Sequence, residues 1–215
     1  MNPLHSSTYP LPSALDAISF SLPHRRRAIG NFRLNSRDLE RFNGLLARLG
    51  RTQAPLACDQ LATAARELTA TAADSAAPAC ILQRLKWAET AAQMVADRGW
   101  EPANEALEPT QLILGYVRDH EDLIPDWLPQ VGRLDDAIVI DTAWPELASE
   151  VDRYVDFRRL RHVEAALRGC ADAEFRFTRA DWEQARHAEA ALRAHRRSVR
   201  GGSYVPSPAP LFRIH

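Results

Sequence analysis

Lysine is nearly absent: of the 27 basic residues in this 215-residue chain, Lys86 alone is lysine and the rest are arginine. The bias reads first as GC-rich coding and second as a preference for the planar, two-pronged pairing of arginine with carboxylates. Cysteine is scarce too. Cys58, Cys80 and Cys170 are odd in number and far apart, which excludes a Cys-x-x-Cys metal or redox pair and an even disulfide framework. Free thiols fit a cytoplasmic protein. No apolar run reaches the roughly eighteen residues that a membrane-spanning helix needs. The opening "MNPLHSSTYPLPSALDAISFSLPHRRR" breaks any apolar stretch with prolines and an aspartate, so a secretory leader is not expected. An excess of one charge is also missing. With 27 basic and 28 acidic residues the formal net charge is -1, which removes any global attraction to nucleic acid or acidic lipid. Finally, no Gly-x-Ser-x-Gly elbow, P-loop, Rossmann fingerprint or His-Glu-x-x-His pair occurs, so the chain carries no ready catalytic signature.

What is present is helical grammar on an ordinary globular composition, 46% hydrophobic and 26% charged. Residues 1–30 hold Pro3, Pro10, Pro12 and Pro23 without periodicity and read as an irregular arm. Residues 201–215 hold Gly201, Gly202 and alternating prolines and read as an extended tail tipped by Leu211, Phe212 and Ile214. Between them, residues 31–200 are expected to form one all-α domain, a compact bundle of about six helices. Leu39, Phe42, Leu45, Leu46 and Leu49 recur at helical spacing, with Asn35 or Ser36 as cap and Gly50 as stop. A second helix is expected from Pro55 with Leu61, Ala64, Ala65 and Leu68 inward. A third runs from Pro78 towards Gly99, with a stripe of Ile81, Leu82, Leu85, Ala88, Ala92 and Val95. A fourth is expected to start near Pro109. A long fifth segment from Asp135 towards Gly169 contains Pro145, which predicts a kink or a break. Thr178 and Asp181 form a near capping box for the last helix. Strand signals are confined to "AIVI" and "EFRF".

The most patterned stretch is "DLIPDWLPQVGRLDD", residues 122–136. Pro125 and Pro129 disfavour helix at the residues before them, so the fourth helix is expected to end near Glu121. Leu123, Ile124, Trp127 and Leu128 can plug the end of a helical hairpin, and burying two or three of them contributes about 1.5–3 kcal/mol each. Gly132 is suited to a positive φ or a close backbone approach. Asp135 is placed as an N-cap and Asp136 in the first turn, where negative charge is favoured. Asp122 and Asp126 can accept from N–H groups in the turn, and Arg118 or Arg133 can neutralise them.

With Tyr116 added, the pattern resembles the signature of the YkvA family, a bacterial domain of unknown function. Tyr116, Asp122, Leu123, Ile124, Pro125, Asp126, Pro129, Gly132, Asp135 and Asp136 fall in register with it. The resemblance spans residues 116–146, and Asp119 and His120 stand where the family has Ser-Pro. It implies a helical hairpin over about residues 108–170 and no defined activity. Its flanks here carry Arg118, Asp119, Glu121 and Asp141, so membrane contact is expected to be peripheral at most.

A rival reading makes Asp122, Asp126, Asp135 and Asp136 oxygen ligands for Mg²⁺ or Ca²⁺, or an acid–base pair. The spacing is not that of a calcium loop, and adjacent aspartates on a helix point about 100° apart. Elsewhere, Glu183 and His187, with His162 and His195, read as solvated helical faces. The arginine clusters at 24–27, 158–162 and 195–200 read as solvated or internally paired, with no nucleic-acid module around them. Trp144 before Pro145 marks a place where a groove could open beside the motif. The leading expectation is a cofactor-free, non-catalytic protein that meets a protein partner or itself through a helical groove or the tail. A metal-binding regulator or metal-dependent enzyme is the alternative.

Overall fold

Asn35 starts the first helix as its spacing predicts: its side chain accepts from the Arg37 N–H at 3.0 Å, capping α1 (Ser36–Arg48). Leu39, Phe42, Leu46 and Leu49 are buried along it, and Gly50 ends it at φ +86°. The computed structural model describes residues 9–17, 26–71, 77–119, 122–172 and 174–202. Over these the protein is all-α, with six helices and one small β-hairpin. The remaining helices are α2 (Cys58–Thr71), α3 (Ala79–Ala96), α4 (Asn104–Arg118), α5 (Leu134–Leu167) and α6 (Arg179–Gly202). The hairpin pairs β1 (Ala28–Ile29) antiparallel with β2 (Phe32–Arg33). The apolar tip of the tail, Leu211 to Ile214, lies outside the described residues.

Several expectations shift by a turn. Pro55 precedes α2 rather than opening it, because the Leu56 N–H and carbonyl are both taken by the Asn43 side chain at 2.8 and 2.9 Å. Pro109 lies inside α4, which begins at Asn104. Pro145 lies inside α5 without dividing it: residues 134–167 form one helix, "AIVI" included. "EFRF" forms no strand.

The face of α3 is rotated from the expected one. Leu82 and Val95 are exposed, whereas Ile81, Arg84, Trp87, Ala88, Ala91 and Met94 are buried. The cause is Arg84, whose guanidinium is 2% exposed and pairs with Asp141 of α5 at 2.7 Å. It also donates to the Cys80 and Tyr9 carbonyls and lies over Trp87, 5.1 Å from the ring centre. Trp87 in turn stacks on Trp144 at 4.4 Å. A hydropathy stripe cannot anticipate an arginine that is buried because it is paired.

Two compact units are defined by the contacts, Met1–Asp156 and Phe157–His215. In the first, Gln60 donates to the Leu15 and Ala17 carbonyls and so ties the start of the chain to α2. In the second, Phe157, Phe175 and Phe177 stack in series, with Arg161 over Phe157 and Arg168 over Phe175. The capping box of α6 is formed: the Thr178 N–H and hydroxyl donate to Asp181 Oδ2 at 2.8 and 2.7 Å.

Candidate functional site

The motif stands between α4 and α5, and its residues hold one another. α4 ends at Arg118, and Leu123, Ile124 and Leu128 turn inward as the plug. Trp127 does not join them: it is 71% exposed. The residues from Pro125 onward turn tightly, with Leu128 N–H donating to Pro125 O at 3.0 Å and Gly132 N–H to Leu128 O at 2.9 Å. Val131 N–H donates to Pro129 O at 2.8 Å across Gln130, whose φ is +67°. That three-residue turn with a positive central φ is a strained one. Positive φ thus falls on Gln130, and Gly132 serves the other purpose, close approach. A Cβ on it would lie 2.4 Å from the Asp126 carbonyl oxygen.

Asp135 is not an N-cap. α5 begins at Leu134, and the Asp135 carboxylate reaches back across the turn instead. Its Oδ2 accepts from the Tyr116 hydroxyl at 2.8 Å and from the Ile124 N–H at 2.9 Å. The Tyr116 oxygen accepts in turn from the Leu123 N–H at 3.2 Å. One buried carboxylate therefore joins the end of α4, the plug and the start of α5. Asp136 takes a different partner. Its Oδ2 accepts from Arg133 Nε at 2.8 Å, and the same nitrogen lies 3.5 Å from Asp126 Oδ1. Arg133 also reaches the Val117 carbonyl at 3.4 Å.

Burial sets the electrostatics. Asp135 is 1% and Asp136 2% exposed, and the Oδ1 atom of each is buried with no hydrogen-bond partner among the described residues. Burial pushes the Asp135 carboxyl up to about 7, against the pull of the Ile124 and Tyr116 hydrogen bonds. Asp136 also moves up through burial, opposed by Arg133. Asp122 rises to about 6 through burial and the charges of Asp136 and Asp126. Burial, then the neighbouring Asp135 carboxylate, raises the Tyr116 hydroxyl, which stays a neutral donor. Arg133 loses to burial but gains more from Asp136, Asp126 and Asp122, and holds its proton more tightly than usual.

The four aspartates share one neighbourhood but not one ligand position. Asp135 faces Tyr116 and Ile124, Asp136 faces Arg133, and Asp126 is exposed on the outer side of that arginine. Among the described residues, no group of three or more His, Cys, Asp or Glu side chains is arranged to hold a metal ion. Pro125 and Pro129 shape the turn, and Asp122 is half-buried among the charges of Asp136, Asp126 and Arg133. Glu183 pairs with Arg179 at 3.1 Å and His162 with Asp172 at 2.9 Å. Sequence reasoning missed Arg84 and Asp141. The available signal was an arginine in register with apolar residues of α3 and an aspartate closing the apolar run Ala137–Ile140 of α5.

Removing the Trp127 indole is expected to change the unfolding free energy by less than about 0.5 kcal/mol, as for an exposed site. Leu123→Ala and Ile124→Ala should each cost about 2–5 kcal/mol. Urea titration of the three variants checks the contrast. A Trp127→Ala loss as large as the others would mean that the ring supports the plug.

The fold and motif together define a class: an all-α protein whose α4–α5 hairpin is closed by a carboxylate-latched turn. No family model, curated protein or solved structure matches the chain. No described helix is long and apolar enough to cross a membrane.

Proposed function

We propose that this chain is a non-catalytic interaction protein whose contact element is the second half of α6, and that its hairpin is YkvA-like. One oxygen of Asp135 and one of Asp136 are hydrogen-bonded within the turn, which supports a structural role for the motif rather than a reaction. The carrying observation concerns α6: every residue from 190 to 200 is exposed although the segment is helical. Helices in water draw most of their stability from packing, and this one has little on its own surface to replace it. Glu189 pairs with Arg186 and Arg193, and no aspartate or glutamate follows it in the chain. Arg193, Arg196, Arg197 and Arg200 then stand three and four residues apart, a spacing at which like charges repel by roughly 0.2–0.5 kcal/mol per pair. Beside them run Ala188, Leu192 and Val199, the last two about half exposed at 49% and 51%.

A partner that relieves both defects is a protein helix with an acidic flank and a narrow apolar seam. A lipid surface would ask for a broad face of large apolar residues, and the seam here is narrow, with Leu192 and Val199 its large members. The test is a photo-crosslinking residue placed at Leu192 or Val199 in the full chain, expressed in cells. Adducts mapped to an acidic protein segment and lost on Arg196→Glu with Arg197→Glu are expected. Adducts that survive the charge reversal, or equal yield from a control at Gln184, would refute the reading.

A further inference from the structure

The two units carry opposite charge. Met1–Asp156 holds 22 acidic and 15 basic residues, a formal -7, and Phe157–His215 holds 6 acidic and 12 basic, a formal +6. The near-neutral total of the chain hides this separation. Each excess is also concentrated. In the second unit, residues 190–200 supply Arg193, Arg196, Arg197 and Arg200 and no carboxylate, which puts +4 on an exposed helical segment. In the first, residues 116–136 hold six carboxyl groups against Arg118 and Arg133, a formal -4 and more than half of that unit's excess. Charge of one sign repels itself, and opposite charge brought near relieves it.

The acidic segment has an outward side. Asp119 and Asp126 are exposed and Asp122 is half-buried. Burial, then the charges of Asp136 and Asp126, raises the Asp122 carboxyl to about 6, and Arg133 offsets only part of the rise. Next to Asp126 stands Trp127, 71% exposed, on a turn held by the two prolines and their hydrogen bonds to Leu128 and Val131. An exposed indole beside carboxylates suits an apolar seam that carries arginines: guanidinium groups stack on the ring face, and aliphatic side chains pack against it. The second half of α6 has both, with Leu192 and Val199 about half exposed beside its arginines.

We propose that the acidic partner of α6 is a second copy of this chain: the arginines of residues 193–200 meet Asp119, Asp122 and Asp126 of the second copy, and Leu192 and Val199 cover its Trp127. This rests on the reading of α6 as the contact element and names what it contacts. Made reciprocally, the contact occurs twice and closes a two-fold dimer. Nucleic acid, another polyanion that the second unit could draw, would be repelled by the -7 of the first unit on the same molecule.

The test is sedimentation velocity of the purified full chain over a wide concentration range, at low and high salt. The chain should self-associate, and salt should weaken the association. Arg196→Glu with Arg197→Glu, on an exposed helix, should weaken it at least about tenfold, a difference of about 1.4 kcal/mol. Asp119→Arg with Asp126→Arg should do the same, and Asp119→Asn with Asp126→Asn should act in the same direction with less strain on the turn. A chain carrying all four charge reversals pairs them again and should recover association. Trp127→Ala, which is expected to leave the unfolding free energy nearly unchanged, should also weaken association. Circular dichroism of every variant separates lost association from lost structure. A monomer at every concentration, or a four-reversal chain no better than either double, would overturn the proposal. Charge-dependent crosslinks from Leu192 that land on a different acidic protein would overturn it too, while leaving the reading of α6 in place.

Discussion

Gly132→Ala is expected to lower the unfolding free energy by about 3 kcal/mol, the upper range for overpacking a buried position. The added Cβ would lie 2.4 Å from the Asp126 carbonyl oxygen and 2.7 Å and 2.9 Å from its carbonyl carbon and Cα. All of these atoms are backbone, so no rotamer change relieves the contact. The Pro125–Leu128 and Leu128–Gly132 hydrogen bonds would have to open together. The same substitution at Gly115 or Gly44 meets nothing within 4 Å. Both lie inside helices, where alanine is favoured by about 0.5–1 kcal/mol. Opposite signs are therefore expected from one chemical change: destabilisation at 132, stabilisation at 44 and 115. Urea unfolding of the three variants measures it. A Gly132→Ala protein as stable as the wild type would show that the turn can widen without penalty.

Asp135 should separate its two functions by substitution. Asp135→Ala removes the acceptor of the buried Ile124 N–H and of the Tyr116 hydroxyl, and is expected to cost about 2–4 kcal/mol. Asp135→Asn keeps an acceptor oxygen and drops the charge, so it should cost far less at pH 8. The pH dependence follows from linkage. The folded carboxyl titrates near 7 against an ordinary 3.8, so between those values the folded protein holds a proton that the unfolded chain has released. Stability from this group is therefore greatest at acid pH and falls as pH rises from about 4 to 7, by at most about 1.4 kcal/mol per pH unit. Asp122, raised to about 6, acts in the same direction over the lower part of that window, weakened by its partial exposure. Urea midpoints at pH 5, 6, 7 and 8 should decline for the wild type and decline less for Asp135→Asn. Parallel profiles for the two proteins would mean that Asp135 stays ionised throughout.

The turn chemistry of the two prolines located the break between α4 and α5, and several local devices were legible because they are local. Asn35 caps α1, Gly50 ends it, and the Thr178–Asp181 box opens α6 through contacts only a few residues apart. Of the four plug candidates, two or three were expected inside and three are. Leu123, Ile124 and Leu128 are buried, while Trp127 is in solvent, because a two-proline turn offers an inner and an outer side and composition does not say which side a large ring takes. Asp135 reads as a cap in the sequence because position in a helix start is visible there. That it bonds Ile124 and Tyr116 instead is set by how closely α4 and α5 approach, which no spacing encodes.

The sequence by itself determined the helical class, the order of its elements and the place where the chain must turn, since these follow from periodicity, prolines and glycines. Only the tertiary structure decided which charges are buried. Arg84 became a core residue because Asp141, on another helix, lies 2.7 Å away. Arg51 and Asp141 came to share a cleft although α2, α3 and α4 separate them in the chain. Burying a charge is tolerated only beside its partner, and partners are chosen by packing in three dimensions rather than by distance along the chain.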